Sequence, residues 1–415
     1  MIERDELPLL WTGFMTTLSG IGLARFAYTA LMPQMVDARW FNPEQVAYLG
    51  AANLLGYLFG ALAAAPLAER LGFVRVLAAC WAAVALSFAA CSQPFFSDAG
   101  GALAGLSFGW FFAWRCISGI GGAILMVLGP SLAMSAAPAH RRPLLGPLMF
   151  CGIGCGALLS ATLIPVLARW SLSAVWWSLA ASAALAGWYG LLQARRLPQS
   201  QPRPPSPPPS VSSHPAVPAG ALWSLAVVLV FIAYMGDAFG YVPHTVFWVD
   251  YLARELRLGA GYASLQWAVF GLGAVLGPLA VAFAATRRGW WTACTGTYIF
   301  KTVGVALPLA WLGFAGHALS SLLVGALSPG LSAVTSGYLM QLVGPARHKL
   351  MWGYATAAFA LMQAIAGYFM AWLYARWGSY QPLFLMGAVS LVCASSLIAA
   401  SRAGTIRTLA TERTS

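Results

Sequence analysis

The chain has 415 residues, of which 60% are hydrophobic and only 8% are charged. Water-soluble domains carry about a quarter of their residues as charges, so this composition excludes an ordinary soluble protein. A membrane-spanning helix takes about 20 to 25 residues. About twelve long apolar runs account for most of the length, and they leave no room for a separate soluble catalytic domain.

The net charge of +12 raises the question of nucleic acid. The Lys and Arg residues are scattered in short clusters between apolar runs, however, which is typical of orientation signals in a membrane protein. We therefore predict that the chain lies in a lipid bilayer and binds no nucleic acid. The seven cysteines lie in apolar stretches with no Cys-x-x-Cys pair or nearby His, which predicts free thiols, no metal site and no cofactor.

Twelve transmembrane helices are predicted in chain order. The first follows an acidic start, residues 1–8, that lacks the basic residues of a cleavable signal, so we expect this helix to be retained. The approximate predicted bounds are 9–36, 45–67, 74–95, 102–136, 144–168, 172–194, 222–250, 262–285, 290–313, 317–343, 350–375 and 380–401.

The charges between these helices predict the orientation. With a cytoplasmic N-terminus, fifteen Lys and Arg fall inside and five outside. The positive-inside rule then places both termini in the cytoplasm of a multi-pass protein in the cytoplasmic membrane. The remaining three of the 23 cations are Arg25, Arg115 and Lys301, which lie inside apolar runs.

A proline-dense polar stretch divides the chain. Residues 198–221 cannot bury a core, and we predict a cytoplasmic linker there, with a proline-rich recognition ligand as the alternative. The linker separates an N-terminal six-helix bundle, 1–197, from a C-terminal six-helix bundle, 222–415. The predicted fold class is therefore an all-α integral membrane protein, with twelve transmembrane helices in two six-helix bundles related by pseudo-two-fold symmetry.

Two local patterns accompany this organisation. The loop after the second helix reads Glu69-Arg70-Leu71-Gly72-Phe73-Val74-Arg75, and the fourth helix contains Arg115-Cys116-Ile117-Ser118-Gly119-Ile120-Gly121. They are similar to two motifs of the major facilitator superfamily of secondary transporters, although Glu69 replaces the usual Asp and Val74 a usual basic residue. The corresponding loop of the second half, 286–289, is degraded. Residues 20–28, 53–57 and 152–156 further resemble the poorly characterised YbfB/YjiJ branch, which implies no known substrate.

Four charged residues lie deep in apolar runs. A charge at the membrane centre costs between about 3 and more than 10 kcal/mol, so Arg25, Arg115, Asp237 and Lys301 should face protein or water. Asp237 is the best candidate for a proton site, and a static ion pair with one of the three cations is the alternative.

Two further residues are candidates for proton coupling. His244 lies seven residues after Asp237 on the same predicted face and could relay protons, with a neutral hydrogen-bonded His as the alternative. For Arg115, the resemblance implies a role in proton coupling. Binding of a substrate carboxylate or phosphate and a purely structural pairing are its alternatives.

Polar side chains on several helices are candidates to line a substrate cavity, and interhelical hydrogen bonding is the alternative role for each. They are Arg25, Tyr28, Asn53, Tyr57, Arg115, Tyr241, Lys301, Tyr338 and Gln363. The surplus of two positive charges within the membrane favours an anionic substrate. The pairs Gly56/Gly60, Gly152/Gly156 and Gly273/Gly277 predict close helix contacts.

The resemblance implies a cytoplasmic gate formed by Glu69, Arg70, Gly72 and Arg75, with a merely solvated loop as the alternative. We therefore predict a monomeric secondary transporter, and no enzyme, that moves a small organic solute and protons by alternating access. The alternatives are a uniporter or substrate antiporter without proton coupling and, more distantly, a membrane-embedded lipid-modifying enzyme.

Overall fold

The computed structural model describes residues 3–94, 102–138, 140–197 and 223–414, so the predicted linker, 198–221, lies outside the described residues. Every regular element in the described ranges is helical. The twelve long helices are α1 Arg4–Asp37, α2 Pro43–Leu71, α3 Phe73–Ala90, α4 Ala102–Ala136, α5 Arg142–Leu167, α6 Leu172–Ala194, α7 Leu225–Glu255, α8 Gly259–Arg288, α9 Trp290–Ala310, α10 Phe314–Val343, α11 Pro345–Trp377 and α12 Gln381–Thr414.

The predicted all-α architecture with twelve helices is confirmed. Eleven helices in the described part of the chain are long and apolar enough to cross a membrane, and only α9, which carries Lys301, does not meet that measure. Their outward faces carry exposed apolar side chains such as Leu106, Leu185 and Phe283, which suit a lipid environment. One predicted bound differs in a way that affects the site: α7 continues past residue 250 to Glu255.

Corresponding turns of the two halves share a backbone conformation. Gly72 ends α2 with φ +85° and ψ 143°, and Gly289 ends α8 with φ +82° and ψ 161°. A residue with a side chain rarely adopts such a positive φ, so glycine is required at both turns. The loop of the second half has therefore kept its geometry although its sequence motif is degraded.

Close helix contacts at glycine also repeat between the halves. A Cβ added at Gly56 of α2 would meet the backbone of Cys116 in α4, and one at Gly277 of α8 would meet the backbone of Ala326 in α10. The prediction that these glycines allow close helix contacts is confirmed. Because α2 and α4 pack in the first half as α8 and α10 do in the second, the fold has the predicted internal symmetry.

The apolar core differs between the two ends of the molecule. We call the end where α1 begins and α6 stops the termini side, and the opposite end the far side. Residues in the far-side halves of α7 to α12, such as Phe247, Trp267 and Phe384, share one hydrophobic cluster with the N-terminal bundle. The termini-side halves of α7 to α12, which include Val230 and Leu331, form a separate cluster. The two bundles are therefore joined by a common core toward the far side.

Specific contacts between the bundles lie between the middle of the helices and the far side. Thr29 Oγ1 of α1 donates to the carbonyl of Thr245 in α7 at 2.5 Å, and Tyr48 of α2 faces Tyr368 of α11 with ring centroids 6.3 Å apart. At mid-membrane, α5 crosses α8 so closely that a Cβ at Gly154 would meet the backbone of α8.

Candidate functional site

The first half of the site is built on an irregular stretch of α1. Residues Leu18–Ala27 form a π-helix, a wider turn that is frequent at functional sites. Within it, the carbonyl oxygen of Ala24 accepts hydrogen bonds from Asn53 Nδ2 at 3.2 Å and from Arg115 Nη1 at 3.0 Å. These bonds join α2 and α4 to α1 immediately before Arg25.

Arg115 is held inside the N-terminal bundle. Its guanidinium carbon lies 4.2 Å from the centroid of the Tyr28 ring, an arrangement that stabilises a buried cation. The Tyr28 hydroxyl in turn donates to the carbonyl of Val46 at 2.8 Å. Arg115, Tyr28 and Asn53 therefore link α1, α2 and α4 within the N-terminal bundle.

The second half of the site is an ion pair between α7 and α9. Lys301 Nζ lies 2.6 Å from Asp237 Oδ1, and the two side chains are 1% and 2% exposed. Among the three cations that sequence reasoning offered as partners for Asp237, the structure places Lys301 against it.

Tyr241 connects the two halves of the site. Its ring centroid lies 4.7 Å from Lys301 Nζ and 5.3 Å from the guanidinium carbon of Arg25, which comes from the other bundle. Its hydroxyl donates to Gln363 Oε1 of α11 at 2.6 Å. Tyr57 of α2 lies near enough for its hydroxyl to interact electrostatically with Arg25. We call Arg25, Tyr57, Tyr241, Lys301, Asp237 and Gln363 the central cluster.

His244 has a different set of partners. Its Nε2 lies 2.8 Å from Ser320 Oγ, and that hydroxyl donates to the carbonyl of Gly304 at 2.7 Å. The serine oxygen is therefore free to accept, which assigns the imidazole proton to Nε2. The ring also stacks on Trp248 at 4.7 Å. These contacts fit a neutral His that links α7 to α9 and α10, and His244 makes no hydrogen bond to Asp237 among the described residues.

Two further predicted groups lie away from the central cluster, on the termini side. Tyr338 sits in the last turns of α10 on the termini side, where its hydroxyl is 2.9 Å from Ser401 Oγ of α12. The predicted gate residues Glu69, Arg70, Gly72 and Arg75 are exposed at the α2–α3 turn, also on the termini side.

Sequence reasoning missed a buried acid at the far end of α7. Asp250 is 1% exposed. It accepts hydrogen bonds from Arg254 Nη1 at 3.0 Å and from the Tyr380 hydroxyl at 2.6 Å. Glu255 accepts from the Tyr380 backbone N–H at 2.6 Å. The spacing of Asp250 and Arg254, four residues apart, was a signal for this pair. Burial raises the pKa of the Tyr380 phenol well above its ordinary value.

A groove of about 680 Å³ lies elsewhere, on the lipid-facing side of α7, α11 and α12. Ile232, Phe239, Leu385 and Val389 are among its apolar lining residues. None of the predicted site residues lines it, so the groove plays no part in the site.

Comparison with known proteins agrees with this arrangement. The model of a family described as "Uncharacterised MFS-type transporter YbfB" matches residues 17–399. Among solved structures, a D-xylose–proton symporter is 17% identical with a TM-score of 0.68, covering 94% of this chain and 96% of that one. The xylose transporter XylE from E. coli, in a partially occluded inward open conformation, is 14% identical with a TM-score of 0.71, covering 95% and 99%. No curated protein sequence matches the chain.

Proposed function

Because the chain belongs to the family of uncharacterised MFS-type transporters that includes YbfB, we propose that it moves a small organic anion across the cytoplasmic membrane and couples this movement to protons. The observation that carries the proposal is the set of buried charges near the middle of the described helices: Arg25, Arg115 and Lys301 against one acid, Asp237. A buried surplus of two positive charges attracts an anion. The protein acts as a monomer with both termini in the cytoplasm.

The asymmetry of the apolar core supports an alternating-access cycle. Since the bundles share one core toward the far side and the C-terminal bundle has its own core on the termini side, the far side is the closed side of this conformation. The XylE structure of similar fold was solved in a partially occluded inward open conformation. Rocking of α1 to α6 against α7 to α12 would expose the central cluster to the opposite side.

The exposed gate residues suit the same cycle. Glu69, Arg70 and Arg75 form no ion pair within the described residues. A latch of this kind would be released while the termini side is open and would form when that side closes.

The ion pair suggests how protons and anion are coupled. Protonation of Asp237 removes its charge, releases Lys301 from the pair and raises the local positive surplus by one. An anion therefore binds better to the protonated form, and by linkage the bound anion raises the proton affinity of Asp237 equally. Proton and anion then bind together, which favours symport over antiport.

The test is uptake into reconstituted vesicles that contain a pH-sensitive dye. Carboxylates, phosphates, zwitterions and organic cations are screened with wild type, Asp237→Asn and the matched double variant Asp237→Asn/Lys301→Met, which removes the pair without leaving an unpaired charge. We expect anion-dependent proton movement in wild type only. Proton movement that survives Asp237→Asn refutes Asp237 as the proton carrier. Uptake of cations only refutes the proposal that the substrate is an anion.

A uniporter or substrate antiporter without proton coupling is the second candidate. One observation favours it: the 2.6 Å contact between Lys301 and Asp237 is almost completely buried, as in a static pair that only fixes helix packing. In that case the double variant would transport as wild type does, and no solute would move protons. The vesicle assay therefore separates the two candidates.

A further inference from the structure

Arg25 is a buried cation with an open edge. The residue is only 5% exposed, and its Nε and Nη2 atoms have no hydrogen-bond acceptor among the described residues. Lys301 and Asp237, by contrast, form an ion pair with each other, and Arg115 donates from Nη1 to Ala24 and leaves its Nε without an acceptor among the described residues. A buried charged donor without an acceptor is costly, so a group that accepts from Arg25 would stabilise the site.

The two open atoms lie along the same edge of the planar guanidinium. Their N–H bonds run parallel and match the two oxygens of a carboxylate. The protein already uses this edge once: Arg141 donates from Nε to Glu6 Oε1 and from Nη2 to Glu6 Oε2, the latter at 2.6 Å. At Arg141 the carboxylate comes from the chain itself, whereas the same edge of Arg25 has no acceptor among the described residues.

A third open donor comes from the other bundle. Gln363 of α11 is fully buried, and its Oε1 accepts the Tyr241 hydroxyl at 2.6 Å. Its Nε2 has no acceptor in the described part of the chain. Arg25 and Gln363 both contact Tyr241, Arg25 over the ring and Gln363 at the hydroxyl. Open donors from α1 and α11 therefore meet around one residue at the junction of the bundles.

We propose that the Nε/Nη2 edge of Arg25 is the subsite for a carboxylate group of the solute, with Gln363 Nε2 as an additional donor from the opposite bundle. This inference rests on the proposed function and narrows its anion to a carboxylate. Two parallel donors on one cation and one amide N–H match a planar group with two oxygens and a single negative charge. A phosphate would present a third terminal oxygen and a second charge, whereas Arg25 and Gln363 together supply one positive charge.

The subsite assigns a role in the transport cycle to the solute itself. Arg25 moves with α1 to α6, and Gln363 moves with α7 to α12. A carboxylate bound to both side chains joins the bundles at mid-membrane and neutralises the charge of the buried Arg25. The loaded site therefore loses the cost of the unpaired cation.

The experiment measures ligand binding to the full-length protein in detergent by thermal stabilisation and calorimetry. The probes are formate, acetate and benzoate, each compared with its neutral amide, and benzoate is also compared with phenylphosphonate. We expect the carboxylates to bind and the amides to bind at least about tenfold more weakly, because an amide cannot satisfy two parallel donors of a cation. Phenylphosphonate should also bind more weakly than benzoate.

Substitutions then test the edge. Arg25→Lys keeps the charge and removes the fork, and we expect it to weaken carboxylate binding about tenfold or more. Gln363→Leu should weaken it by a smaller factor. Arg195→Lys, an exposed arginine at the end of α6, is the matched control and should bind as wild type does.

Three results would overturn the carboxylate subsite: none of the three carboxylates binds wild type, Arg25→Lys binds them unchanged, or the amides bind as tightly. Its failure is distinguishable from failure of the proposed function. Proton-coupled uptake of a different solute in vesicles would support the proposed transporter and refute the carboxylate subsite. Carboxylate binding without uptake of any solute would support the subsite and refute the proposed transport function.

Discussion

The pair Asp237–Lys301 allows a double-mutant test of whether these two side chains stabilise one another. The changes are Asp237→Asn, Lys301→Met and their combination. At 2.6 Å and an effective dielectric constant of about 20, the attraction between unit charges is about 6 kcal/mol. Desolvation of both groups offsets much of it, but loss of one partner leaves an unpaired charge among side chains that are almost fully buried, which costs about 3 to 5 kcal/mol.

We therefore expect strong non-additivity. Each single variant should unfold at a clearly lower temperature than wild type, whereas the double variant should recover most of the lost stability because no unpaired charge remains. The measurement is thermal and denaturant-induced unfolding of the purified protein in one detergent at neutral pH.

Additive losses would refute the reasoning. If the double variant is destabilised by the sum of the two single losses, Asp237 and Lys301 do not stabilise each other. Rescue of Lys301→Met by acidic pH is a second check, because protonation of Asp237 removes the unpaired charge.

Three further predictions use other contacts. Gly50→Leu should disfavour the packed far side, since even a Cβ at Gly50 would lie 3.0 Å from Val246 Cγ1; labelling of cysteines introduced on the termini side should fall, and unchanged labelling would contradict this. His244→Gln keeps a donor for Ser320, so the pH profile of transport should stay as in wild type; a displaced profile would assign His244 a proton. Glu69→Gln should lower the transport turnover and leave membrane insertion intact. Unchanged uptake would refute the proposed latch.

The helices could be predicted because hydrophobicity and length decide them locally. Even α9, with Lys301 at its centre, was predicted from its apolar flanks. The bound of α7 was wrong by five residues, because Asp250, Arg254 and Glu255 look like a polar loop in the sequence. In the structure, Asp250 and Arg254 pair along the helix, and the helix continues.

The partner of Asp237 could not be chosen from the sequence, because that choice depends on how helices rotate against one another. The expectation that His244 shares a face with Asp237 assumed 100° per residue throughout α7. The helix is interrupted at Tyr241 and continues as a π-helix from Pro243 to Phe247. Wider turns change the angle per residue, and His244 reaches Ser320 of α10. The open edge of Arg25 is likewise a property of packing.

The shared far-side core has a consequence for temperature. When the bundles separate on that side, apolar side chains such as Phe26 and Trp267, whose rings meet across the bundles at 5.6 Å, come into contact with water. Hydration of apolar surface raises the heat capacity. The free-energy difference between the conformation open toward the far side and the one open toward the termini side should therefore depend nonlinearly on temperature. Cooling weakens the association of apolar groups. The fraction of molecules open toward the far side should therefore rise in the cold, with no ligand and no change in pH.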